Sequence, residues 1–269
     1  MSRYQMKFNS LGIGALLLSL ATIGTTLETS QLRAQEVEGN TNIEEISESE
    51  DVTVGEEVTV RGEVEEVEPG VSFVMEEEGF LEGDRVLVIN VSGEELPIAP
   101  SDDLELQVTG ETGMLVLADV ESEYGLDLDP ELYVDYENQP VIFAQSMVLS
   151  PGLEDISEDP TLYYAQEVAV EGEVDEIRSD YTFTLKEDQL IGGDDLLIIN
   201  ATGEPIPTED EKVVVTGTVR PYIKAEFERD YDLTWDLDIQ EEIEAEYSEK
   251  PVLVVDSIYT SAEDDGLLE

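Results

Sequence analysis

Acidic side chains crowd one short stretch of the chain, where their carboxylate oxygens could bind a hard cation. Asp127, Asp129, Asp135 and Glu137 form this group. A second acidic group holds the corresponding place later in the chain: Asp232, Asp236 and Asp238. Ca²⁺ takes about six to eight oxygen ligands, so the first group is the candidate metal site. Its spacing lacks the central glycine and distal glutamate of a Ca²⁺-binding loop, and solvated acidic surface is the competing interpretation.

The residue types that most catalytic mechanisms need are missing. The chain contains no His and no Cys, which excludes His general bases, thiol nucleophiles and the usual zinc, copper and haem ligand sets. Carboxylates are so abundant that any pair of them could be the acid and nucleophile of a glycosidase, so such pairs carry no information. We predict a protein that is not an enzyme, with no catalytic and no cofactor-binding residues.

Aromatic residues concentrate in two regions of the chain. Tyr and Trp combine apolar area with a polar tip, so a rim of them could bind a sugar or a peptide. The alternative is that they pack a helix onto the end of a barrel. The residues are Tyr124, Tyr133, Tyr136, Tyr163, Tyr164, Tyr222, Tyr231, Trp235 and Tyr247.

The balance of charge limits the partners. The 269 residues include 12 Lys and Arg against 67 Asp and Glu, a formal net charge of −55. Nucleic acid and anionic membrane surfaces would be repelled. Hydrophobic residues still make up 41% of the chain and fall in short β-branched runs, which favours folded domains over disorder. Such an acidic surface indicates adaptation to concentrated salt.

Residues 1–34 have the pattern of a cleaved signal peptide. Arg3 and Lys7 precede a short apolar run, and Ala34 offers a small residue at the cut. A retained membrane anchor is the alternative, but Ser, Thr and Gly dilute the apolar run. We expect a protein that is periplasmic, at the cell surface or secreted, with a flexible, disordered acidic leader over residues 35–51.

Beyond the leader the chain repeats itself at an offset of about 110 residues. The run 58–64 (VTVRGEV) matches 168–174 (VAVEGEV), and 87–90 (LVIN) matches 197–200 (LIIN). Later matches join 108–110 with 215–217, 124–126 with 231–233, and 140–142 with 251–253. Two copies of one small domain are therefore predicted.

Each copy predicts five strands in which Val, Ile, Thr and Phe alternate with Glu and Gln. Gly62 and Gly172 lie within the first strands, where a small barrel needs a bend so that one strand serves two sheets. The predicted strands of the first copy are 56–67, 71–77, 85–91, 104–116 and 140–149. Those of the second copy are 166–177, 181–187, 195–201, 211–220 and 251–259. A helical pattern covers 117–126, 222–233 and 238–247 between strands four and five, and we expect a helix there to plug one end of a closed barrel.

The predicted fold class is mainly β: two tandem five-stranded OB-like barrels, each with a short helical segment between strands 4 and 5. The barrels span 52–150 and 161–260, joined by a linker over 151–160 and followed by an acidic tail over 261–269. The predicted core residues are Val60, Val64, Phe73, Val88 and Val108 in the first barrel and Val170, Val174, Phe183, Ile198 and Val215 in the second.

The strand pattern also carries a resemblance. The run Val-x-Val-x-Gly-x-Val, followed by a hairpin and by Leu-Leu-Ile-Ile-Asn, resembles OB-type barrels. The stretch from Tyr124 to Tyr133 (YGLDLDPELY), followed by 136–142 (YENQPVI), is similar to a family of uncharacterised exported bacterial proteins. The resemblance covers nearly all of residues 52–260 and implies fold more than activity. Two features depart from the OB pattern: the helix follows strand four, and the basic aromatic face of nucleic-acid barrels is absent.

The leading functional hypothesis is an exported, non-catalytic binding or scaffolding module. Its partner is an unknown protein, glycan or small ligand, with no nucleic acid and no anionic membrane surface. A second hypothesis is a Ca²⁺-dependent or cation-buffering acidic structural protein, and the third is a carboxylate-based hydrolase. No cofactor is predicted apart from the candidate Ca²⁺.

Overall fold

The computed structural model describes residues 40–47, 54–76, 84–96, 105–187, 195–203, 205–231, 237–248 and 250–262. The predicted signal peptide, part of the predicted leader and most of the predicted acidic tail lie outside these ranges. The described chain is mainly β, as predicted. None of its helices is both long enough and apolar enough to span a membrane.

Ten strands occur in the described ranges, and they confirm the ten predicted strands to within two residues at each end. The alternation of β-branched with acidic residues lets the long first strands, β1 and β6, bury one face and expose the other over much of their length. The first five strands are β1 Glu57–Glu68, β2 Ser72–Glu76, β3 Arg85–Asn90, β4 Glu105–Met114 and β5 Pro140–Leu149. The second five are β6 Glu167–Ser179, β7 Thr182–Lys186, β8 Leu196–Ile199, β9 Lys212–Pro221 and β10 Pro251–Thr260.

Strands β1 to β5 close into a barrel. β1 pairs antiparallel with β2 and with β4, β2 with β3, and β4 with β5. The parallel pairing of β3 with β5 closes the ring. Every strand of this set therefore has two neighbours, and the set presents no open sheet edge. The predicted closed five-stranded barrel is confirmed.

The second five strands make the corresponding pairings. β6 pairs antiparallel with β7 and β9, β7 with β8, β9 with β10, and β8 pairs parallel with β10. β1 changes its partner from β4 to β2 at Glu63, beside Gly62, and β6 changes from β9 to β7 at Glu173, beside Gly172. A single pair between β5 and β6 links the two sets.

The barrel interior is filled by the inward side chains of the strands. Of the ten predicted core residues, nine are buried, with Phe73 and Phe183 fully so. Val64 is only half-buried and packs against the edge of this core. One apolar cluster runs through both strand sets, so their cores are continuous.

Two short helices contribute to the same core. α1 (Ile43–Ser47) precedes β1 and buries Ile43 and Ile46, while α3 (Leu153–Glu158) precedes β6 and buries Leu153 and Ile156. The glycines of β1 and β6 admit these helices, since a Cβ on Gly62 would lie 3.0 Å from Cδ1 of Ile43. The same Cβ would lie 2.4 Å from the carbonyl oxygen of Glu76, so a larger residue there would collide with the paired strand β2 as well as with the helix.

These helices correct two predictions. The disordered leader over 35–51 is wrong for residues 40–47, which form α1 and its approach. The predicted linker over 151–160 is mostly the packed helix α3. Both segments are rich in acidic residues, but each also contains two apolar residues three positions apart, which lie on the same side of a helix.

The connections between strands four and five form helices where the sequence predicts them, but these helices pack against a different part of the strands than predicted. The helices themselves are confirmed: α2 Leu117–Tyr124 in the first set, and α4 Lys224–Tyr231 and α5 Leu237–Tyr247 in the second. They do not plug a barrel end. The first connection covers the outward side chains Leu87, Ile89 and Val141, and the second covers Leu197, Ile199, Val252 and Val254. The strands under them are therefore apolar on both faces, which explains the continuous apolar runs of β3 and β8.

Candidate functional site

The face by which OB-type barrels bind ligands is covered in this chain. In such barrels the outer face of strands 2 and 3, with the loop between strands 4 and 5, receives oligonucleotides or sugars. Here that loop is a structured connection packed onto Val74, Leu87 and Ile89 of the same strands.

Tyr133 fastens the first connection to the barrel. Its ring is fully buried, and its hydroxyl lies 2.8 Å from Oγ of Ser72 and donates to Oε2 of Glu68 at 2.8 Å. Burial is the main cause that raises the pKa of Tyr133 above its usual range, and the neighbouring Glu68 carboxylate adds to it. The hydroxyl is thus held as a neutral donor, and the connection is fixed in place.

The exposed side of the same connection carries a stacked aromatic pair. The rings of Tyr124, at the end of α2, and Phe143, on β5, lie 5.3 Å apart at an interplanar angle of 27°. Gly113 on β4 makes room for Phe143, because a Cβ there would lie 2.5 Å from its ring. Tyr124 is 37% exposed and Met114, the next residue of β4, is 41% exposed. Gly113, Phe143 and Tyr124 lie together on this side of β4, whereas the side chain of Met114 points to the opposite face of the strand.

Carboxylates surround this aromatic pair. Asp119 and Glu123 project from the exposed part of α2, and Glu111 lies opposite Phe143 in the β4–β5 register. Burial, and then the charges of Glu123 and Glu111, raise the pKa of Tyr124 above its usual value. Both acids therefore lie close to the phenol. We call this set the aromatic–acidic surface: Glu111, Gly113, Asp119, Glu123, Tyr124 and Phe143.

The corresponding place in the second strand set holds an arginine. α2 and α4 are each eight residues long and align at an offset of 107, so Tyr231 corresponds to Tyr124 and Arg220 to Gly113. The Arg220 guanidinium lies 5.7 Å from the ring centre of Tyr231 and donates to its hydroxyl at 2.9 Å. It is also 5.1 Å from the ring centre of Phe227.

Two carboxylates complete the surroundings of this guanidinium. Arg220 Nη2 lies 3.2 Å from Oδ2 of Asp230 and 3.5 Å from Oε2 of Glu226. At the offset of 107 these acids correspond to Glu123 and Asp119 of the aromatic–acidic surface. Both sets therefore keep the tyrosine and the two acids. The second set places Arg220 beside the tyrosine, whereas in the first set the ring of Phe143 lies beside the corresponding Gly113.

The predicted metal-binding residues all lie in the connection between β4 and β5. Asp127, Asp129, Asp135 and Glu137 are all exposed, and Oδ1 of Asp129 accepts from a nearby backbone N–H at 3.0 Å. No group of three or more acidic side chains is placed to hold a metal ion within the described part of the chain. Asp232, Asp236 and the side chain of Asp238 lie outside it.

The joint between the strand sets is a second polar centre. Glu171 is almost fully buried and forms an ion pair with Arg61 of the other set, while its Oε1 lies 2.8 Å from Nζ of Lys212. The hydroxyl of Ser261 also donates to Glu171, and Arg61 donates to Ser150 at 2.9 Å. A cavity of about 40 Å³ lies beside these groups. It is too small for an organic ligand, which favours a structural role for the joint.

The joint is built from corresponding positions of the two sets. Arg61 and Glu171 hold the same place in β1 and β6, and Glu105 and Lys212 hold the same place in β4 and β9. At both places the sign of the charge is reversed between the sets. Tyr259 completes the contact by donating its buried hydroxyl to Gln107.

The predicted aromatic set divides between the two interpretations. Tyr133, Tyr163, Tyr222 and Tyr247 are buried and pack structure together, whereas Tyr124 is exposed on the surface described above. Trp235 lies outside the described residues. Sequence reasoning missed Phe143, Gly113 and Arg220, and the signal that could have found them is the exchange of Gly113 for Arg220 at matched positions of the repeat.

Comparison of the chain with protein-family models and with curated proteins finds no match in either. The geometry of the aromatic–acidic surface is therefore the basis for assigning a function.

Proposed function

We propose that this chain is an exported, non-catalytic binding module made of two OB-like barrels, which engages its partner through the outside of the first barrel. One observation carries the proposal. Of the seven large apolar side chains that are exposed in the described residues, five lie on or next to β4 and the connection that follows it: Val54, Met114, Tyr124, Leu132 and Val134. Exposed apolar side chains that gather in one region are typical of an interaction surface.

The tandem of barrels is supported by details that repeat between the strand sets. Gly110 and Gly217 lie at the same irregularity of register, opposite β5 and β10. A Cβ on either glycine would lie 2.2 Å from a carbonyl oxygen of that partner strand. Gly55 and Ala165, which precede β1 and β6, both adopt a positive φ. Such agreement in backbone detail is expected of two copies of one domain.

The acidic surface suits a protein that works in concentrated salt. All nine basic side chains beyond residue 34 lie in the described ranges, and eight of them form ion pairs with carboxylates. The ninth, Lys250, lies 5.4 Å from the ring centre of Tyr247. Since 66 acidic residues share these nine cations, most carboxylates depend on dissolved cations for screening.

Site-specific photo-crosslinking in the cells that make the protein tests the binding function. A photoreactive phenylalanine analogue at Val134, which is 71% exposed, should give a discrete adduct of higher mass. The matched control is Ile223, an exposed apolar residue beside the second connection. Adducts of the same yield at both positions, or at neither, would contradict a partner surface on the first barrel. Export is tested in the same cells, because the mature protein should begin at Gln35.

A further inference from the structure

We propose that the two strand sets close into a ring of two, in which residues 40–47 act as a clasp that joins the two ends of the chain. This inference goes beyond the proposed binding function and does not depend on it. It is carried by the contacts of Ser150, which lies at the interior junction, where the chain passes from the first set to the second. The two ends of the chain divide the same contacts between them.

Ser150 binds two backbone carbonyl groups at the interior junction. Its N–H donates to the carbonyl oxygen of Glu105, the first residue of β4, at 3.0 Å. Its hydroxyl donates to the carbonyl oxygen of Ala169 on β6 at 3.0 Å, and the preceding Leu149 pairs in parallel with Val168. One stretch of chain thus ends the first set, pairs with the second set and leads into α3.

Two separate stretches make the corresponding contacts at the ends of the chain. Ser261 follows β10 as Ser150 follows β5, and its N–H donates to the carbonyl oxygen of the first residue of β9 at 3.1 Å. Asn40 precedes α1 by the same three residues by which Ser150 precedes α3, and it pairs in parallel with Thr59 of β1. Thr59 holds the place in β1 that Ala169 holds in β6. Ser150 therefore has two counterparts, one near each end of the chain.

The two end stretches are bonded to each other. Nδ2 of Asn40 donates to the carbonyl oxygen of Thr260 at 2.6 Å, across 220 positions of sequence. The N–H of Thr41 adds a hydrogen bond to the carbonyl oxygen of Thr59 at 3.1 Å. The helix α1 then anchors this stretch, with Ile43 fully buried. The ends of the chain therefore meet at a place that corresponds to the interior junction.

The clasp gives the chain a closure that no disulfide can supply, since the sequence contains no Cys. Asn40 is synthesised early and Thr260 late, so the clasp can close only when nearly the whole chain is present. Contacts of such large sequence separation form slowly. Closure of the clasp is therefore the step that completes the ring.

Circular permutation of residues 35–269, the chain without the predicted signal peptide, tests this inference. The ring permutant joins Glu269 to Gln35 and opens the chain between Pro151 and Gly152. The control permutant has the same join and opens between residues 94 and 95, in an exposed turn after β3. Both should fold, with melting temperatures within about 5 °C of each other, because in a ring either junction can carry the covalent connection.

Hydrogen exchange of two matched amides, those of Ser150 and Ser261, measures which junction is free to open. In the unpermuted protein Ser261 should exchange about tenfold faster than Ser150, because free chain ends open locally. In the ring permutant the order should reverse. In the control permutant both amides should exchange slowly, since both junctions are then covalent.

Point variants test the clasp without permutation. Asn40→Ala removes the side-chain hydrogen bond across the clasp and should speed exchange at Ser261 about fivefold, with Ser150 unchanged. Gln145→Ala removes an exposed amide hydrogen bond on β5 and should change neither amide.

Failure of both permutants to fold would show that the ends do not meet, and failure of the ring permutant alone would show that the clasp cannot replace the interior junction. Either result overturns the ring. The same order of exchange in the unpermuted protein and the ring permutant, or equal effects of Asn40→Ala and Gln145→Ala, would overturn the clasp. Crosslinking at Val134 remains a separate test of the binding function, because neither result predicts the other.

Discussion

Two buried tyrosines allow one substitution to be compared in two environments. Tyr133 and Tyr222 are both almost completely buried. Tyr133 packs with the first strand set and its connection, and Tyr222 packs with the second strand set and its connection. The Tyr133 hydroxyl makes hydrogen bonds of 2.8 Å with Ser72 and with Glu68. The Tyr222 hydroxyl is buried and has no hydrogen-bond partner among the described residues. Replacing either tyrosine with Phe removes its hydroxyl oxygen. That oxygen is hydrogen-bonded in Tyr133 and has no partner among the described residues in Tyr222.

The expected changes in unfolding free energy follow from these contacts. A hydrogen bond to a charged group contributes about 1.5–3 kcal/mol and a neutral one about 0.5–1.5 kcal/mol. Tyr133→Phe loses one of each, so we expect a loss of about 2–4 kcal/mol, a large part of a typical stability of about 5–15 kcal/mol. Tyr222→Phe removes a polar atom that is buried without compensation, so its effect should be near zero or stabilising by about 1 kcal/mol.

Urea unfolding followed by circular dichroism, in a buffer of high and constant KCl concentration, measures both variants. Equal urea dependence of the free energy in the wild type and the variants is the control that the same transition is compared. Ser72→Ala should lose about 1 kcal/mol, because it removes only the neutral bond. Equal losses for Tyr133→Phe and Tyr222→Phe would refute the assignment of hydrogen bonds at the two hydroxyls.

Three further predictions follow from the surface and the core. Raising KCl from about 0.1 M to above 1 M should raise the melting temperature clearly, since screening relieves repulsion among the acids; an unchanged melting curve would contradict adaptation to salt. Burial raises the pKa of Tyr222 and Tyr247 to about 12, above the value near 10 of an unfolded tyrosine. Their contribution to stability is therefore complete below pH 10 and is lost as pH rises towards 12, which the urea midpoint measures; a midpoint that stays constant over this interval would count against it. Ile43→Ala and Leu153→Ala should each cost about 2–5 kcal/mol in urea unfolding, with Glu44→Ala on the exposed side of α1 near zero; three equal values would show that α1 and α3 do not pack into the core.

The strands could be predicted because the pattern that marks a strand, alternating apolar and polar residues, lies within the strand itself. Alternating β-branched and acidic residues in β1 and β6, with matched glycines, leave few other arrangements. The helix α1 could also have been found, since Ile43 and Ile46 match Leu153 and Ile156 at the offset of 110 that joins the strands. Its dense acidic neighbours give this segment the composition of a disordered leader, which outweighs the two apolar residues of the helix in any average over the segment.

The position of the connections and the candidate site depend on contacts between distant parts of the chain. The apolar run of β3 indicates burial on both faces, but does not say which segment covers the outer face. Phe143 meets Tyr124 only because the β4–β5 register places it opposite Glu111, from where its ring lies over Gly113. No motif marks these residues, and each has an ordinary structural interpretation when taken alone. The pairing of Arg61 with Glu171 is equally invisible to local patterns, since the two occupy the same position of the repeat.

The reversal of charge across the joint has a consequence for how chains can exchange parts. If two copies opened at the joint, contact between like halves would place Arg61 against a second Arg61, or bury two copies of Glu171 together, and neither arrangement is stable. Only a first half and a second half can pair through this surface, because only that contact places Arg61 against Glu171. An assembly formed through this surface must therefore pair a first half with a second half, as in a domain-swapped dimer. The short connection from Leu149 to α3 favours closure within one chain, because it keeps the correct partner at high local concentration.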